Sequence, residues 1–439
     1  MRFDHAASNA ITIAESFATT ANRDVIVVRD LLGRNALALD GGERNVDDLR
    51  QTLRDECSPF VGADPVIFLE DLLAPELLRD STNRRPAPFL LSPSGRVSVI
   101  ERGTVGADWL NPNDSPPARR VTLYGFKGGV GRSTATFSLA RHLAQQGLVV
   151  LVVDLDLESP GVSTMLAPEM SQLPEHGILD HLVEYGVGNE HGLDLAARSS
   201  AIGDTVGNGE VWISAAAGRP TPGSSYLDKL SRAYLDLPAA PESGRGRIPF
   251  GARLSAAVAA CEAQVERESR RPDITLLDSR SGIHDIAAVA ITQLSALSLL
   301  FATDNPQTWQ GYGELFGRWA TRLDSNSRSA LRDRLQMVAA LVPQGDPASY
   351  LRRFADNAQA CFASTLYDET PANAEISTFN FAPQDESAPH FPIPIHHSVD
   401  LIGIVPGVDS RWSTAGTANF AYADFLDRAT RLILEAQDA

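Results

Sequence analysis

A glycine-rich turn lies between an apolar segment and a helix-like segment near the middle of the chain. The apolar segment is "VTLYGF" (121–126), the turn is "KGGVG" (127–131), and "STATFSLARHLAQQG" (133–147) has the apolar spacing of a helix. A second apolar run, "LVVLVVD" (148–154), has no polar residue before its end. Such a run is typical of a strand that is buried on both faces of a parallel sheet. The order of strand, turn, helix and strand therefore predicts an α/β fold.

Later segments continue this alternation. Three apolar runs are interpreted as strands: "ITLLD" (274–278), "ALSLLFA" (296–302) and "MVAALVP" (337–343). Helical stretches separate or follow them around 251–270, 305–323 and 347–366. Right-handed strand–helix–strand crossovers turn this pattern into a doubly wound, mostly parallel sheet. We therefore predict one α/β domain over residues 121–439.

The first 103 residues have a different pattern. Short strands are predicted at 24–28, 35–40, 65–70 and 96–101, with a helix at 45–56. Residues 104–120 are rich in Pro, Asn and Asp, which is typical of a linker. The sequence thus predicts a small α+β domain at 1–103, a linker at 104–120 and the α/β domain at 121–439.

Charge and composition disfavour two classes of partner. The chain carries 38 basic and 55 acidic residues, a net charge of −17, whereas sequence-independent DNA binding needs Lys and Arg to replace phosphate counterions. No apolar run is long enough to cross a membrane. The C-terminal stretch 420–438 is helical in pattern with Phe420, Phe425 and Leu432 as its apolar stripe, but its polar face is acidic, which an anionic bilayer repels. We expect neither nucleic acid as the main partner nor a membrane.

The three cysteines indicate a compartment. Cys57, Cys261 and Cys361 lie far apart in the sequence and form no CxxC pair. This spacing gives no disulfide framework and no zinc site, and it suits a reducing cytoplasm.

The glycine-rich turn has the composition of a phosphate-binding loop. Glycines let successive backbone N–H groups point toward a phosphate, and the following helix adds its positive N-terminal end. The common pattern is G-x-x-x-x-G-K-[ST], but Phe126 stands at its first Gly and Arg132 at its Lys. Ser133 keeps the hydroxyl that binds Mg²⁺ in such loops. The turn thus predicts phosphate binding with an altered basic residue.

With Lys127 before the glycines, the form K-G-G-x-G-[basic]-[ST] resembles the deviant Walker A motif of the ParA/MinD group of ATPases. Two further motifs support the resemblance: "VVDLDLESPG" (152–161) resembles the family's D-x-D segment, and "ITLLDSRSG" (274–282) resembles its Walker B strand and switch. "KGGVGR" together with "DLDLExPG" is similar to a bacterial subgroup. The resemblance covers about residues 121–345, and it implies a P-loop nucleoside triphosphatase (NTPase) fold.

The resemblance also implies the site residues. Those that would bind nucleotide are Lys127, Gly128, Gly129, Val130, Gly131, Arg132, Ser133, Thr134, Gly282 and Pro343. Those that would act in catalysis are Lys127, Arg132 and Asp156, with Asp156 orienting the attacking water. Those that would hold the metal are Ser133, Asp154 and Asp278. Asp154 has a competing interpretation, in which it orders the loop after its strand.

The function implied is a slow, Mg²⁺-dependent ATP-hydrolysing switch. By the resemblance, Lys127 would reach a second subunit and couple ATP binding to homodimer formation. The N-terminal domain would recruit a protein partner, for instance in a bacterial defence or regulatory system. Two alternatives stay open: an ATP-binding scaffold with little turnover, and a DNA-partition ATPase. The sequence does not separate ATP from GTP.

Overall fold

The computed structural model describes residues 1–79, 81, 84–87, 95–102, 106–202, 208–221, 223, 225–234, 237–238, 247–369, 379–409, 412 and 416–438. The chain divides into two compact units, Met1–Ala107 and Asp108–Ala439.

The smaller unit is a mixed α/β fold. Its helices are α1 (Phe3–Ala21), α2 (Asp47–Cys57) and α3 (Glu76–Arg79), and its strands are β1 (Val25–Arg29), β2 (Asn35–Leu39), β3 (Val61–Phe68), β4 (Arg84–Pro86) and β5 (Val97–Glu101). The strand order is β3-β2-β1-β5-β4, in which β1–β5 and β2–β3 are parallel pairs. Helices α1 and α2 pack against the sheet over one apolar core.

The larger unit begins earlier than the sequence predicted. Residues 103–105 lie outside the described residues, but from Asp108 onward the chain packs into the larger unit. Trp109 is fully buried, and the Trp319 indole N–H donates to its carbonyl at 2.9 Å. Most of the stretch interpreted as a linker, 108–120, is therefore part of this unit.

The larger unit alternates strands and helices. Its strands are β6 (Arg120–Gly125), β7 (Val149–Leu155), β8 (Ala197–Arg198), β9 (Glu210–Ser214), β10 (Leu237–Pro238), β11 (Arg247–Ile248), β12 (Ile274–Ser279), β13 (Leu297–Ala302), β14 (Leu335–Val342) and β15 (Ile393–His396). Its helices are α4 (Arg132–Gln145), α5 (Val162–Leu166), α6 (Ile178–Tyr185), α7 (Tyr226–Ala233), α8 (Phe250–Glu268), α9 (Asp285–Val289), α10 (Pro306–Arg322), α11 (Ser325–Arg332), α12 (Pro347–Ala363) and α13 (Gly416–Asp438).

In the described residues, eight of these strands form one sheet in the order β15-β14-β13-β6-β12-β7-β9-β8. All neighbouring pairs are parallel except β8–β9. The sheet is covered on both faces, as β7 shows: Val150 and Val152 pack with α4 and α13, whereas Val149, Leu151 and Val153 pack with α6 and α8. The predicted doubly wound, mostly parallel sheet is confirmed.

The C-terminal helix α13 packs on the sheet, but not with the whole predicted stripe. Phe425 is fully buried and lies against Phe301 of β13, with ring centroids 5.9 Å apart. Phe420 is 67% exposed and stacks near the His396 ring instead, so its predicted place in the stripe is wrong. The buried face also includes Ala421, Tyr422 and Ile433. Among the described residues, no helix is long and apolar enough to span a bilayer.

Helix α10 explains why Phe126 replaces the usual glycine. The Phe126 ring lies against Gly311 and near Tyr312, whose ring centroid is 6.0 Å away. A Cβ at Gly311 would overlap the Phe126 ring. The first residue after β6 is thus held by an aromatic contact to a neighbouring helix.

We expect Gly311→Ala to lower the free energy of unfolding by about 1–3 kcal/mol, because the added methyl overpacks this contact. Gly313→Ala is the matched control: it lies in the same helix, and a Cβ there meets nothing within 4 Å. The control should be neutral or stabilising by up to about 1 kcal/mol, since alanine favours a helix over glycine. Urea unfolding of both variants measures the difference, and equal effects would contradict the packing role of Gly311.

Candidate functional site

Three loops meet at one edge of the large sheet. In the sheet register Asp278 of β12 lies opposite Leu123 of β6 on one side and Asp154 of β7 on the other. Because these strands are parallel, their carboxyl ends lie side by side, and ligands of open α/β sheets bind outside such ends. The glycine-rich turn and the segments after β7 and β12 therefore face one another.

These loops enclose a cavity of about 390 Å³. It is lined by Lys127, Gly128, Gly129, Val130, Gly131, Arg132, Ser133, Thr134, Asp156, Glu158, Ser159, Arg280 and Ser281. The structure therefore brings together the whole predicted phosphate loop, from Lys127 to Thr134, with the predicted catalytic residue Asp156.

The loop has a backbone that needs glycine. Gly129 has φ 75° and Gly131 has φ 81°, both in the left-handed region that side chains with a Cβ rarely adopt. Gly131 is the residue before α4, a helix of 14 residues, so the positive end of α4 opens into the cavity. A loop of this shape at a helix start is an anion-binding site.

Arg132 turns back into the protein. Its Nε donates to Asp278 Oδ1 at 2.8 Å, and its Nη2 donates to Asp156 Oδ2 at 3.1 Å. The side chain is 8% exposed. Burial opposes the charged guanidinium, yet the two carboxylates outweigh it and raise the pKa of Arg132 above its ordinary value. The basic residue of the loop thus neutralises two carboxylates, while its stem still lines the cavity.

Asp154 is fully buried, and both of its oxygens accept hydrogen bonds from the protein. Oδ1 accepts from the Asp156 N–H at 3.1 Å, and Oδ2 accepts from the Ser163 N–H at 3.0 Å and the Ser163 hydroxyl at 2.6 Å. Burial and the nearby Asp278 raise the pKa of Asp154 to about 7. Its contacts are those of a residue that orders the loop between β7 and α5.

We expect Ser163→Ala to lower the free energy of unfolding by about 1–3 kcal/mol, because the buried carboxylate of Asp154 loses its shortest hydrogen bond. Thr164→Ala is the control, since that residue is exposed and its hydroxyl donates to the nearby Gly161 carbonyl, at 2.8 Å. The control should stay within about 0.5 kcal/mol of wild type. Thermal and urea unfolding measure both values; a Ser163→Ala protein as stable as the control would contradict the ordering role.

Ser133 and Asp278 fit a magnesium ion in the way that nucleotide sites hold one. Asp278 is buried, and its Oδ2 has no hydrogen-bond partner among the described residues. Ser133, the second residue of α4, lines the cavity. No cluster of three or more His, Cys, Asp or Glu side chains suited to a metal occurs in the described ranges. Mg²⁺ commonly takes few protein ligands and completes its shell with water and phosphate oxygens.

Two predicted nucleotide-binding residues lie apart from the cavity lining. Gly282 has φ 81°, its N–H donates to the Gly125 carbonyl at 3.3 Å, and its own carbonyl accepts from the Tyr124 hydroxyl at 3.1 Å. Pro343 is exposed directly after β14. Gly282 thus fixes the segment after β12 to the end of β6, and contact of either residue with a nucleotide remains a prediction.

Three cavity residues had no assigned role from the sequence: Glu158, Ser159 and Ser281. Arg280, which flanks the glycine at 282, left two interpretations open: contact with a phosphate or partner, and an ordinary solvated position. Glu158 and Ser159 lie two and three residues after Asp156, and Arg280 and Ser281 lie two and three residues after Asp278. Only their positions in the sequence could have indicated a role. One pair follows β7 and the other follows β12, and these two strands are neighbours in the sheet. Polar residues at two adjacent carboxyl ends can be expected to meet, but the strand order had to be known first.

Comparisons with known proteins agree with this geometry. The family profile of the CobQ/CobB/MinD/ParA nucleotide-binding domain matches residues 121–360. A search of curated proteins gives no match.

Solved structures that are similar in fold include three of this kind. A ParA family ATPase from Chlorobium tepidum TLS is 14% identical, with a TM-score of 0.41, over 71% of this chain and 99% of that one. The pNOB8 ParA bound to nonspecific DNA is 11% identical, with a TM-score of 0.44, over 73% of this chain and 98% of that one. The MinC:MinD cell division protein complex from Aquifex aeolicus is 14% identical, with a TM-score of 0.39, over 71% of this chain and 95% of that one. Because the family profile covers more than half of the sequence, the chain belongs to the CobQ/CobB/MinD/ParA nucleotide-binding domain family.

Proposed function

We propose that this protein binds MgATP in the cavity at the carboxyl ends of β6, β7 and β12 and hydrolyses it slowly, as a switch. The observation that carries the proposal is the glycine-rich loop, which lines the cavity together with Lys127, Ser133 and Asp156. Backbone N–H groups at a helix start favour phosphate, and a carboxylate beside them is suited to orient water.

The proposed chemistry is positioning and charge stabilisation, with little covalent work for the protein. Ser133 would hold the magnesium ion directly and Asp278 would hold it from behind; when bound, the ion would offset phosphate charge. Asp156 would orient the attacking water, because one of its oxygens is fixed by Arg132 and the other by the Ser159 N–H at 3.2 Å. Asp154 would keep this loop in place.

Lys127 would couple nucleotide to association. The side chain is half-buried at the cavity, and no carboxylate among the described residues forms an ion pair with it. A cation without a partner beside a phosphate loop is available to the phosphates of this chain or of a second copy. We therefore propose an ATP-dependent homodimer that hydrolysis releases. The smaller compact unit would recruit a protein partner, and the three free, buried cysteines suit a cytoplasmic setting.

One observation favours a second candidate, an ATP-binding scaffold with little turnover. Arg132, at the position of the usual phosphate-binding lysine, is engaged by Asp156 and Asp278. If it stays there when nucleotide binds, the transferred phosphoryl group has one fewer cation. DNA partition is disfavoured in spite of the DNA-bound ParA noted above, because the net charge of −17 opposes phosphate backbones.

The test is MgATP turnover, measured together with molar mass by light scattering. Wild type should hydrolyse ATP only with Mg²⁺ and should double in mass with ATP. Lys127→Ala should remain a monomer. Arg431→Ala, an exposed cation in α13 that pairs with Asp427 at 2.8 Å, is the control and should behave as wild type. ATP binding without turnover or dimer would support the scaffold, and no ATP binding would refute the proposal.

A further inference from the structure

A polar cluster lies at the outer wall of the cavity, around Glu158. Its Oε1 accepts from the Tyr234 hydroxyl at the end of α7 and pairs with Nη1 of Arg280. His284 Nε2 lies 3.7 Å from the same oxygen. The His284 Nδ1 accepts the Ile286 N–H at 3.4 Å, so in the neutral ring the proton is on Nε2, toward Glu158. Two donors therefore contact one carboxylate oxygen, and the His284 ring lies beside it.

Arg280 is positioned against the phosphate loop. The hydroxyl of the next residue, Ser281, is 3.5 Å from where a Cβ would be on Gly128. One residue further on, Gly282 is hydrogen-bonded to Gly125 at the end of β6. The segment that carries Arg280 thus lies against the start of the phosphate loop, and the Arg280 side chain, 30% exposed, lines the cavity.

The cations at the cavity are not equally available. Arg132 is buried and engaged by two carboxylates, whereas Arg280 is partly exposed and, within the described residues, forms an ion pair with Glu158 only. A guanidinium binds a phosphate with the same two-pronged geometry as a carboxylate. A terminal phosphate in the cavity therefore competes directly with Glu158 for Arg280.

We infer that Arg280 exchanges Glu158 for the terminal phosphate of a bound nucleoside triphosphate and so distinguishes ATP from ADP. The inference rests on the proposed function. Glu158 tolerates the exchange because the Tyr234 hydroxyl still donates to it and the His284 ring still lies beside the same oxygen. The Glu158–Arg280 pair is then the state without triphosphate, and the exchange transmits the presence of the terminal phosphate to α7 and to the start of α9.

The test compares ATP and ADP affinity, with Mg²⁺, for four proteins by calorimetry. Arg280→Ala should weaken ATP binding about 10- to 100-fold, because a charge-assisted bond to phosphate is lost. Its affinity for ADP should be nearly unchanged. Glu158→Gln should strengthen ATP binding about 2- to 5-fold, since the charge that competes for Arg280 is gone. Arg280→Lys keeps the charge without the fork and should lie between Arg280→Ala and wild type. Melting temperatures establish that each variant is folded.

The opposite signs of the two variants separate exchange from a structural role. If Arg280→Ala and Glu158→Gln weaken ATP and ADP alike, the pair only supports the fold and the inference is wrong. If wild type binds ATP but Arg280→Ala and Arg280→Lys keep its preference over ADP, the inference fails while the proposed function stands. If wild type binds neither nucleotide, both fail.

Discussion

Replacing Arg132 with alanine is expected to lower the free energy of unfolding by about 3–5 kcal/mol. The guanidinium is buried between Asp156 and Asp278, with contacts of 3.1 and 2.8 Å. Removing it leaves buried carboxylates without their shared cation, and Asp154 lies on the neighbouring strand beside them. Removing one partner of a buried ion pair is far more costly than losing an exposed one, because the remaining charge stays out of water.

Arg119→Ala is the matched control. Arg119 is an arginine with a carboxylate 4.0 Å away, Asp273, but both side chains are well exposed, at 45% and 38%. Its loss should change the free energy of unfolding by no more than about 1 kcal/mol. Arg132→Lys keeps the charge but not the forked guanidinium that bridges two carboxylates. Its loss of unfolding free energy should therefore lie between those of Arg132→Ala and Arg119→Ala. Urea unfolding gives all three values. An Arg132→Ala protein as stable as Arg119→Ala would show that the two carboxylates need no buried cation.

The second large effect is on turnover. Asp156→Asn should lower the rate of ATP hydrolysis about 10²- to 10⁴-fold, the range that a positioned acid–base group contributes. The amide keeps the size of the carboxylate but loses its charge and one acceptor. ATP affinity should change little, because the phosphate loop and α4 are intact. The free protein should stay folded, because Arg132 keeps its contact with Asp278.

Single-turnover hydrolysis and ATP titration of Asp156→Asn separate the chemical step from binding. Ser159→Ala is a suitable control, because the bond from that residue to Asp156 comes from its backbone N–H and the side chain is not required. Turnover within about 3-fold of wild type in Asp156→Asn would assign the orientation of water to another group.

Much of the fold followed from apolar runs. Strands β7, β12 and β13 are buried on both faces, so their sequences are mostly apolar and easily recognised. Helix α1 was not predicted, because its buried face is mostly alanine and gives little apolar contrast: Ala6, Ala10, Ala14 and Ala18. In α13 the buried stripe could be assigned to the wrong neighbours, since Phe420 and Tyr422 are both aromatic and the helix rotation decides which is buried.

The candidate site was also only partly predictable from the sequence. The phosphate loop could be located from its glycines, because the backbone of Gly129 and Gly131 requires them. The direction of the Arg132 side chain could not be predicted, since a basic side chain at that position can reach a phosphate or turn back to Asp278. The contacts of Asp154 likewise depend on Ser163, nine residues further along, folding back over the end of β7. Such choices are made by tertiary contacts, which the spacing of residues does not record.

The most direct test of MgATP binding uses the scarcity of lysine in this chain. It contains two, Lys127 at the cavity and Lys229 in α7, which pairs with Asp180 at 2.5 Å. Amine acetylation followed by mass spectrometry reports both side chains in one sample, with Lys229 as the internal reference. Saturating MgATP should slow labelling of Lys127 by about 10-fold or more, because an ammonium held by phosphate is not nucleophilic. Lys229 should label at an unchanged rate. Equal labelling of Lys127 with and without MgATP would contradict a nucleotide site at this loop.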